Sequence, residues 1–371
     1  MILQFVQCQD GAYVMRNATT RRRGSLMQAV TISAFGDADV LEFGEVPMPS
    51  PRAGHVLIKV AAAGTNYYDT LVRSGAVSQS IPLPHVIGSD IVGHIEKLGD
   101  GVKNVALGER VIVAPGFPTD PAEWRHTPEN EAPSYFPTGT YGWGGYAQYI
   151  EVPALWVIRD ETDLAAEELA TIPLVLVTAV HAVKTLGRVR RGSRVLVQAG
   201  ASGSGSMAIQ VVKALGGDVI TTVSTDQKAR LALSLGADEV IRYREADVAQ
   251  KVRDWAGTGG IDVVIDPVGG STMPTNLECL KPRGTVVNFG LSGGAVATIP
   301  HLYPFFRNEK RIVGAWMGSM AELRVGLDLV KQGKIRSALH KTLPLSRARE
   351  AHRMLGRGEV VGKLALLPWA A

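Results

Sequence analysis

The sequence predicts a two-part α/β protein: a doubly wound parallel sheet and a mainly antiparallel, barrel-like β domain. Three observations predict it. An apolar run of strand length, residues 194–197, passes through Gln198-Ala199 into a turn of small residues, Gly200 to Ser206, and a helical stretch at 207–215 follows with no room for a loop. Candidate strands at 218–223, 239–243, 261–268, 284–290 and 311–316 then alternate with helix-length stretches at 226–235, 245–255 and 271–280. Apolar strands in that alternation describe a parallel sheet covered on both faces. Before them, short β segments at 28–33, 56–63, 91–98 and 110–114, punctuated by Pro47, Pro49, Pro51 and Gly99-Asp100-Gly101, describe an antiparallel, barrel-like unit.

The turn itself carries chemistry. Glycine lets a backbone approach a ligand because no Cβ intervenes. The helix beginning there turns unpaired N–H groups and the positive end of its dipole to the same point, which is an anion site. Gly200 and Gly205 hold the first and third positions of a dinucleotide fingerprint; Ser202 replaces the second, with Gly203 and Ser204 beside it. Followed by alternating strands and helices, the turn reads as the phosphate corner of a dinucleotide fold.

Composition sets outer bounds. The 371 residues suffice for two domains, and 20% charged and 46% apolar residues are ordinary for a soluble protein. A net charge of +4 does not argue for nucleic acid, and no apolar run approaches membrane-spanning length. Cys8 and Cys279 form neither a disulfide framework nor a metal cluster, which fits a reducing cytoplasm. Residues 1–26 lack periodicity, end in Arg21-Arg22-Arg23-Gly24-Ser25 and lack the order of a secretory signal; the expectation is a disordered extension, or a functional start at Met27.

The remaining segments complete the order of parts. Residues 115–143 read as a long loop rich in Pro, Thr and aromatics, the length at which loops are usually functional. A strand resumes at 146–152, helices follow at 164–170 and 177–186, and the chain closes with helices at 320–331 and 346–355 and a strand at 363–367.

This order, together with local spellings, resembles the medium-chain dehydrogenase/reductase superfamily. The resemblance is carried by Gly54-His55-Val56, Ala62-Ala63-Gly64-Thr65-Asn66-Tyr67-Tyr68-Asp69, Gly88-Ser89-Asp90, Gly108-Glu109-Arg110-Val111, Gly144-Gly145-Tyr146-Ala147 and the closing Gly362-Lys363-Leu364. It implies a GroES-like catalytic domain, residues 27–152, completed by the C-terminal segment 320–371 around a Rossmann nucleotide domain at 153–319. Within the superfamily the Asn66 spelling looks like the zinc-independent, zeta-crystallin-like quinone oxidoreductase branch. Alcohol dehydrogenases hold zinc with a Cys where Asn66 stands, a His where Ser89 stands and a third ligand near Leu174-Val175. An amide and a hydroxyl are poor zinc donors, so no metal is expected. His126 with Glu123, Glu129 and Glu131 reads as solvated loop charge.

Without a Lewis acid, the easier chemistry is hydride delivery to a quinone or to a C=C conjugated with a carbonyl. The resemblance places Asn66 near the nicotinamide and Asp69 at the pocket wall; Asn66, then Tyr68 or Tyr67, would steady a developing oxyanion. Ser224, Thr225, Lys228 and Tyr243 suit a ribose 2′-phosphate, so NADPH is expected, against Asp226, which as an N-cap would not touch the ribose. Thr178, Val268, Phe289, Gly290, Leu291 and Lys363 complete the implied cofactor contacts, with packing open for Val268 and Phe289. His85 and His94 read as structural. Alternatives are an NADP-linked carbonyl, alcohol or enoyl-thioester reductase, which the 115–143 loop favours, and a non-catalytic NADPH binder. The partner expected is a small electrophile, with a homodimer by analogy.

Overall fold

The computed structural model describes residues 25–370; the expectation for the segment before Ser25 lies outside the described residues. The first part runs β1 (Leu26–Ile32), β2 (Leu41–Pro47), β3 (His55–Gly64), α1 (Tyr67–Arg73), β4 (His85–Val86), β5 (Asp90–Leu98) and β6 (Arg110–Val113). It continues with β7 (Gly116–Pro118), β8 (Tyr135–Pro137), β9 (Tyr149–Pro153), β10 (Val157–Arg159) and α2 (Ala166–Leu169). The parallel part follows: α3 (Pro173–Val180), β11 (Arg194–Val197), α4 (Gly203–Ala214), β12 (Asp218–Val223), α5 (Asp226–Ser234), β13 (Glu239–Arg242), α6 (Val248–Ala256), β14 (Ile261–Asp266), α7 (Met273–Cys279), β15 (Leu280–Asn288), α8 (Leu302–Arg307) and β16 (Arg311–Gly314). The chain closes with α9 (Met320–Lys331), β17 (Leu339–Pro344), α10 (Ala348–Gly356) and β18 (Lys363–Leu367).

The six-stranded sheet is parallel throughout, in the order β13-β12-β11-β14-β15-β16. The chain therefore winds outward in both directions from β11, and the reversal between β11 and β14 opens a crevice at the carboxyl ends of the strands. Val195, Leu196, Ile220, Val264 and Val286 are fully buried, as strands covered on both faces require.

The second large sheet runs β10-β6-β5-β3-β18-β17, with β9 also on β3. β18 returns late in the chain to its partner β3 and pairs antiparallel, Ala365 opposite Gly64 and Leu366 opposite Ala63. Extending that register by two residues sets Lys363 against Asn66, which decides the chemistry below. Gly64 is needed for close approach: a Cβ there would lie 1.9 Å from the Ala170 carbonyl oxygen.

Several expectations need correction. Helix α4 starts at Gly203 rather than 207, because Ser202 already caps it. Helix α1 was not foreseen, and neither were β2 and β17, whose Glu-rich and His-Lys-Thr sequences lack a clean apolar alternation. The 115–143 stretch contains the hairpin of β7 with β8. Among the described residues no helix is long and apolar enough to cross a membrane.

Candidate active site

A cleft of about 420 Å³ lies between the carboxyl ends of the parallel strands and the start of α1 with the 356–363 segment. At its centre, Ser202 accepts the Gly205 N–H at 3.0 Å, so the first amides of α4, at Gly203 and Ser204, keep no intrahelical partner. Gly203, Ser204 and Ser202 line the cleft, as the fingerprint predicts. Gly200 and Gly205 do not. A Cβ on Gly200 would sit 2.1 Å from Thr221 Oγ1, and one on Gly205 2.2 Å from the Ala199 carbonyl, so these glycines let the turn fold on itself.

At the far end, Ser224, Lys228 and Tyr243 line the cleft. Lys228 donates to the Gly358 carbonyl at 2.8 Å, and burial, with Arg244 nearby, holds its ammonium below the usual lysine range. Thr225 is spent otherwise: its hydroxyl accepts the Lys228 N–H and caps α5. The cap expected at Asp226 is therefore one residue too late; Asp226 is the first helical residue and pairs with Arg242 at 2.7 Å. At the other end, Val268 lines the cleft while Phe289 packs on the core, Leu291 is exposed, and Gly290 passes so close to Pro267 that a Cβ would lie 1.9 Å from its carbonyl. The Thr178 hydroxyl donates back to Leu174.

Two polar clusters meet beside the start of α1. In the first, Asn66 Nδ2 donates to Asp90 Oδ2 at 2.9 Å, and the Lys363 ammonium donates to Asn66 Oδ1 and, at 3.1 Å, to Asp90. Asp90 Oδ1 accepts the Leu174 N–H at 2.7 Å. In the second, Asp69 accepts the Asn66 backbone N–H, the Ser89 hydroxyl and the Tyr146 hydroxyl. Tyr146 lies 3.1 Å from His352 Nε2, and His352 Nδ1 accepts from Arg73 at 3.0 Å. Burial raises Asp69 to about 6 and, with Arg73 beside it, lowers His352 to about 3. Asp69 is thus buried beneath the cleft and absent from its lining. Tyr67 lines the cleft, half exposed. The Tyr68 hydroxyl contacts Thr140 at 3.3 Å and its ring meets Trp316 edge-on; burial pushes it to about 12. Sequence reasoning quoted Asp90 in a motif without giving it a role, and passed over His352, which has no sequence signature. His85, read as structural, is buried against the Gly139 carbonyl.

Known proteins share this fold. Residues 52–161 match the alcohol dehydrogenase GroES-like domain family, and 203–332 the zinc-binding dehydrogenase family. A 2-haloacrylate reductase of a Burkholderia species is 30% identical over 365 residues, covering 93% of this chain and 100% of that protein. The chain is a medium-chain dehydrogenase/reductase. The human quinone oxidoreductase, 29% identical over 353 residues with 92% and 98% covered, places it in the quinone oxidoreductase-like branch. A crystal structure of an NAD-dependent alcohol dehydrogenase superposes with a TM-score of 0.88 at 33% identity, covering 92% of this chain and 99% of that one. This medium-chain dehydrogenase/reductase is accordingly an oxidoreductase using a nicotinamide dinucleotide, and the phosphate turn, β12 end and β14 end fit such a cofactor. They do not extend the fit to zinc. Asn66 turns its oxygen to an ammonium and Ser89 turns its hydroxyl to Asp69, and neither offers the thiolate, imidazole or carboxylate that zinc takes.

Proposed function

We propose that the enzyme is an NADPH-dependent, zinc-independent reductase of quinones or conjugated carbonyls. The observation that carries this reading is the Lys363 ammonium seated on Asn66, where a metal would need an electron-pair donor. A cation already held there repels a second one and leaves hydrogen-bond donors as the polarising groups. Preference for NADPH rests on the ribose end: Ser224, Lys228 and Tyr243 face the cleft, while the Asp226 carboxylate is occupied by Arg242.

The bound nicotinamide supplies a hydride. The protein's part is to hold it by the amides of Gly203 and Ser204 and to present the acceptor to it. Tyr67 and Val268 wall the reacting end. Tyr68 keeps its proton and gives it to Thr140, whose own hydroxyl donates to the Pro137 carbonyl.

The test is cofactor oxidation against 1,4-benzoquinone, a simple enone, a crotonyl-thioester and an aldehyde, with NADPH and NADH compared, and metal analysis alongside. Turnover of quinone or enone with NADPH and no stoichiometric zinc is expected; turnover of the aldehyde alone, or a full zinc equivalent, refutes the reading. A carbonyl or alcohol substrate is the second reading, favoured by the 115–143 segment, which reaches the nucleotide domain through Tyr135 on Gly318 at 3.1 Å.

We also place the enzyme in the cytoplasm as a homodimer. β16 leaves an open sheet edge beside exposed Leu302, Tyr303 and Phe306, which suits a second copy. Sedimentation of wild type and Ile312→Lys tests this, with a monomeric wild type refuting it.

A further inference from the structure

Two hydrogen-bond donors are left over where Asn66 meets Lys363. A primary amide has two N–H donors and a lysine ammonium three. Asn66 Nδ2 gives one to Asp90, while Lys363 gives one to Asn66 Oδ1 and one to Asp90. Among the described residues, the second amide N–H and the third ammonium N–H have no partner. Both side chains line the cleft, at 4% and 5% exposure. The amide cannot be reversed, because its oxygen would then face the carboxylate and its NH₂ the ammonium. Both donors are therefore held in place before any ligand arrives.

We propose that Lys363 and Asn66 form a two-donor site for an oxyanion of the enolate or hydroquinone-monoanion class, with Asp90 as the positioning residue that fixes both. This makes Lys363 a catalytic residue and rests on the quinone or enone reading above. The competing role, a grip on the cofactor's pyrophosphate, fits the geometry less well. The Lys363 stem runs past the phosphate turn, where a Cβ on Gly203 would lie 2.6 Å from Lys363 Cδ. Its ammonium sits beyond, on Asn66 and Asp90, while the turn already has the amides of Gly203 and Ser204. Asp90 also offsets the lysine's charge, so the site attracts a standing anion weakly. Oriented donors still stabilise charge that appears during the reaction, because they need no reorganisation when it does.

The charge appears as follows. A hydride, one hydrogen with two electrons, leaves NADPH and forms a C–H bond at the acceptor's β-carbon. The C=C pair shifts to the bond beside the carbonyl, the carbonyl pair moves to oxygen, and NADP⁺ remains. Water then supplies the proton that completes the α-carbon. A quinone reduced by the same hydride gives a hydroquinone monoanion and takes its proton likewise.

The experiment reads the site without turnover. p-Nitrophenol is titrated by its visible spectrum in the presence of excess enzyme and NADP⁺, and NADPH affinity is measured by nicotinamide fluorescence. In wild type the bound phenol should ionise at least about one pH unit lower than in buffer, a tenfold change in the ionisation ratio. The Lys363→Met/Asp90→Asn double variant removes both charges together and so leaves no lone buried ion. It should lose that shift while NADPH affinity stays within about threefold. Asp90→Asn alone leaves the ammonium without its counter-charge, so the shift should persist there and is thereby tied to Lys363. A shift that persists in the double variant, or an NADPH affinity that falls tenfold or more with Lys363, overturns the proposal. A clear phenolate shift in a wild type that reduces neither quinones nor enones keeps the anion site and refutes the acceptor class instead.

Discussion

The two polar clusters share neighbours and differ in completeness. Asn66 gives its backbone N–H to the Asp69 cluster and its side chain to the Lys363 cluster; Ser89 and Asp90, adjacent in sequence, divide the same way. The Asp69–Tyr146–His352–Arg73 chain is closed. The Tyr146 hydroxyl donates to Asp69 and accepts the Nε2 proton of a neutral His352, whose Nδ1 accepts from Arg73. The Lys363 cluster retains donors and borders the cleft. Closed networks rigidify a fold, whereas spare, oriented donors at a cavity serve a ligand. One cluster holds α1 in place so that the other can act.

The largest expected effect breaks the closed chain. Asp69→Ala leaves three buried donors without an acceptor, at about 1–3 kcal/mol each, so urea denaturation should show a loss of about 5 kcal/mol. A loss under about 1 kcal/mol would mean that the chain is not the structural member of the pair.

Acid titration tests the same chain with the sign worked out. Asp69 is raised from 3.8 to about 6, so its contribution grows as pH falls from 6 toward 3.8. His352 is lowered from 6.5 to about 3, so its contribution is lost as pH falls from 6.5 toward 3. Between pH 6 and 4 the two nearly cancel. His352→Gln should uncouple them, gaining about 3 kcal/mol of stability relative to wild type over that window. Parallel pH profiles for the two proteins would refute the assignment.

On the cleft side, Lys228 resembles Lys363 in having a donor to offer, since a carbonyl is its one partner among the described residues. Lys228→Ala should weaken NADPH by about 10- to 100-fold, the worth of one hydrogen bond to a charged group, and change NADH little. Equal losses for both cofactors, measured by fluorescence titration, would remove Lys228 from the phosphate site.

How far these clusters could be read beforehand follows from the range of the interactions. The strand–turn–helix at 194–215 is local, so its small residues and apolar run announced it, and the parallel alternation followed from the same short-range pattern. Asn66, Ser224, Lys228 and Tyr243 came from motifs and do face the cleft. The contact that gives Asn66 its orientation joins residues 297 apart and depends on the β18–β3 register. No periodicity reveals such a register. The resemblance put Asp69 at the pocket wall, whereas the first turn of α1 rotates its side chain back onto the Asn66 backbone N–H. Thr225 and Asp226 were exchanged as caps for a related reason: both are good N-cap residues, and a single position decides between them.

The smallest expected effect lies on the cleft floor, at Ala199. It adopts φ +54°, left-handed for a residue with a Cβ, at the entrance to the phosphate turn. That conformation costs an L-residue about 1–2 kcal/mol, and glycine there would escape the cost. Glycine also gains freedom in the unfolded chain, which takes back about 0.4–1 kcal/mol. Ala199→Gly should therefore stabilise the protein by about 0.5–1 kcal/mol, read by urea denaturation, with cofactor affinity within about twofold. If affinity instead falls sharply while stability rises, the Ala199 Cβ itself is part of the cofactor's seat, and strain on the cleft side, like its spare donors, is tied to binding.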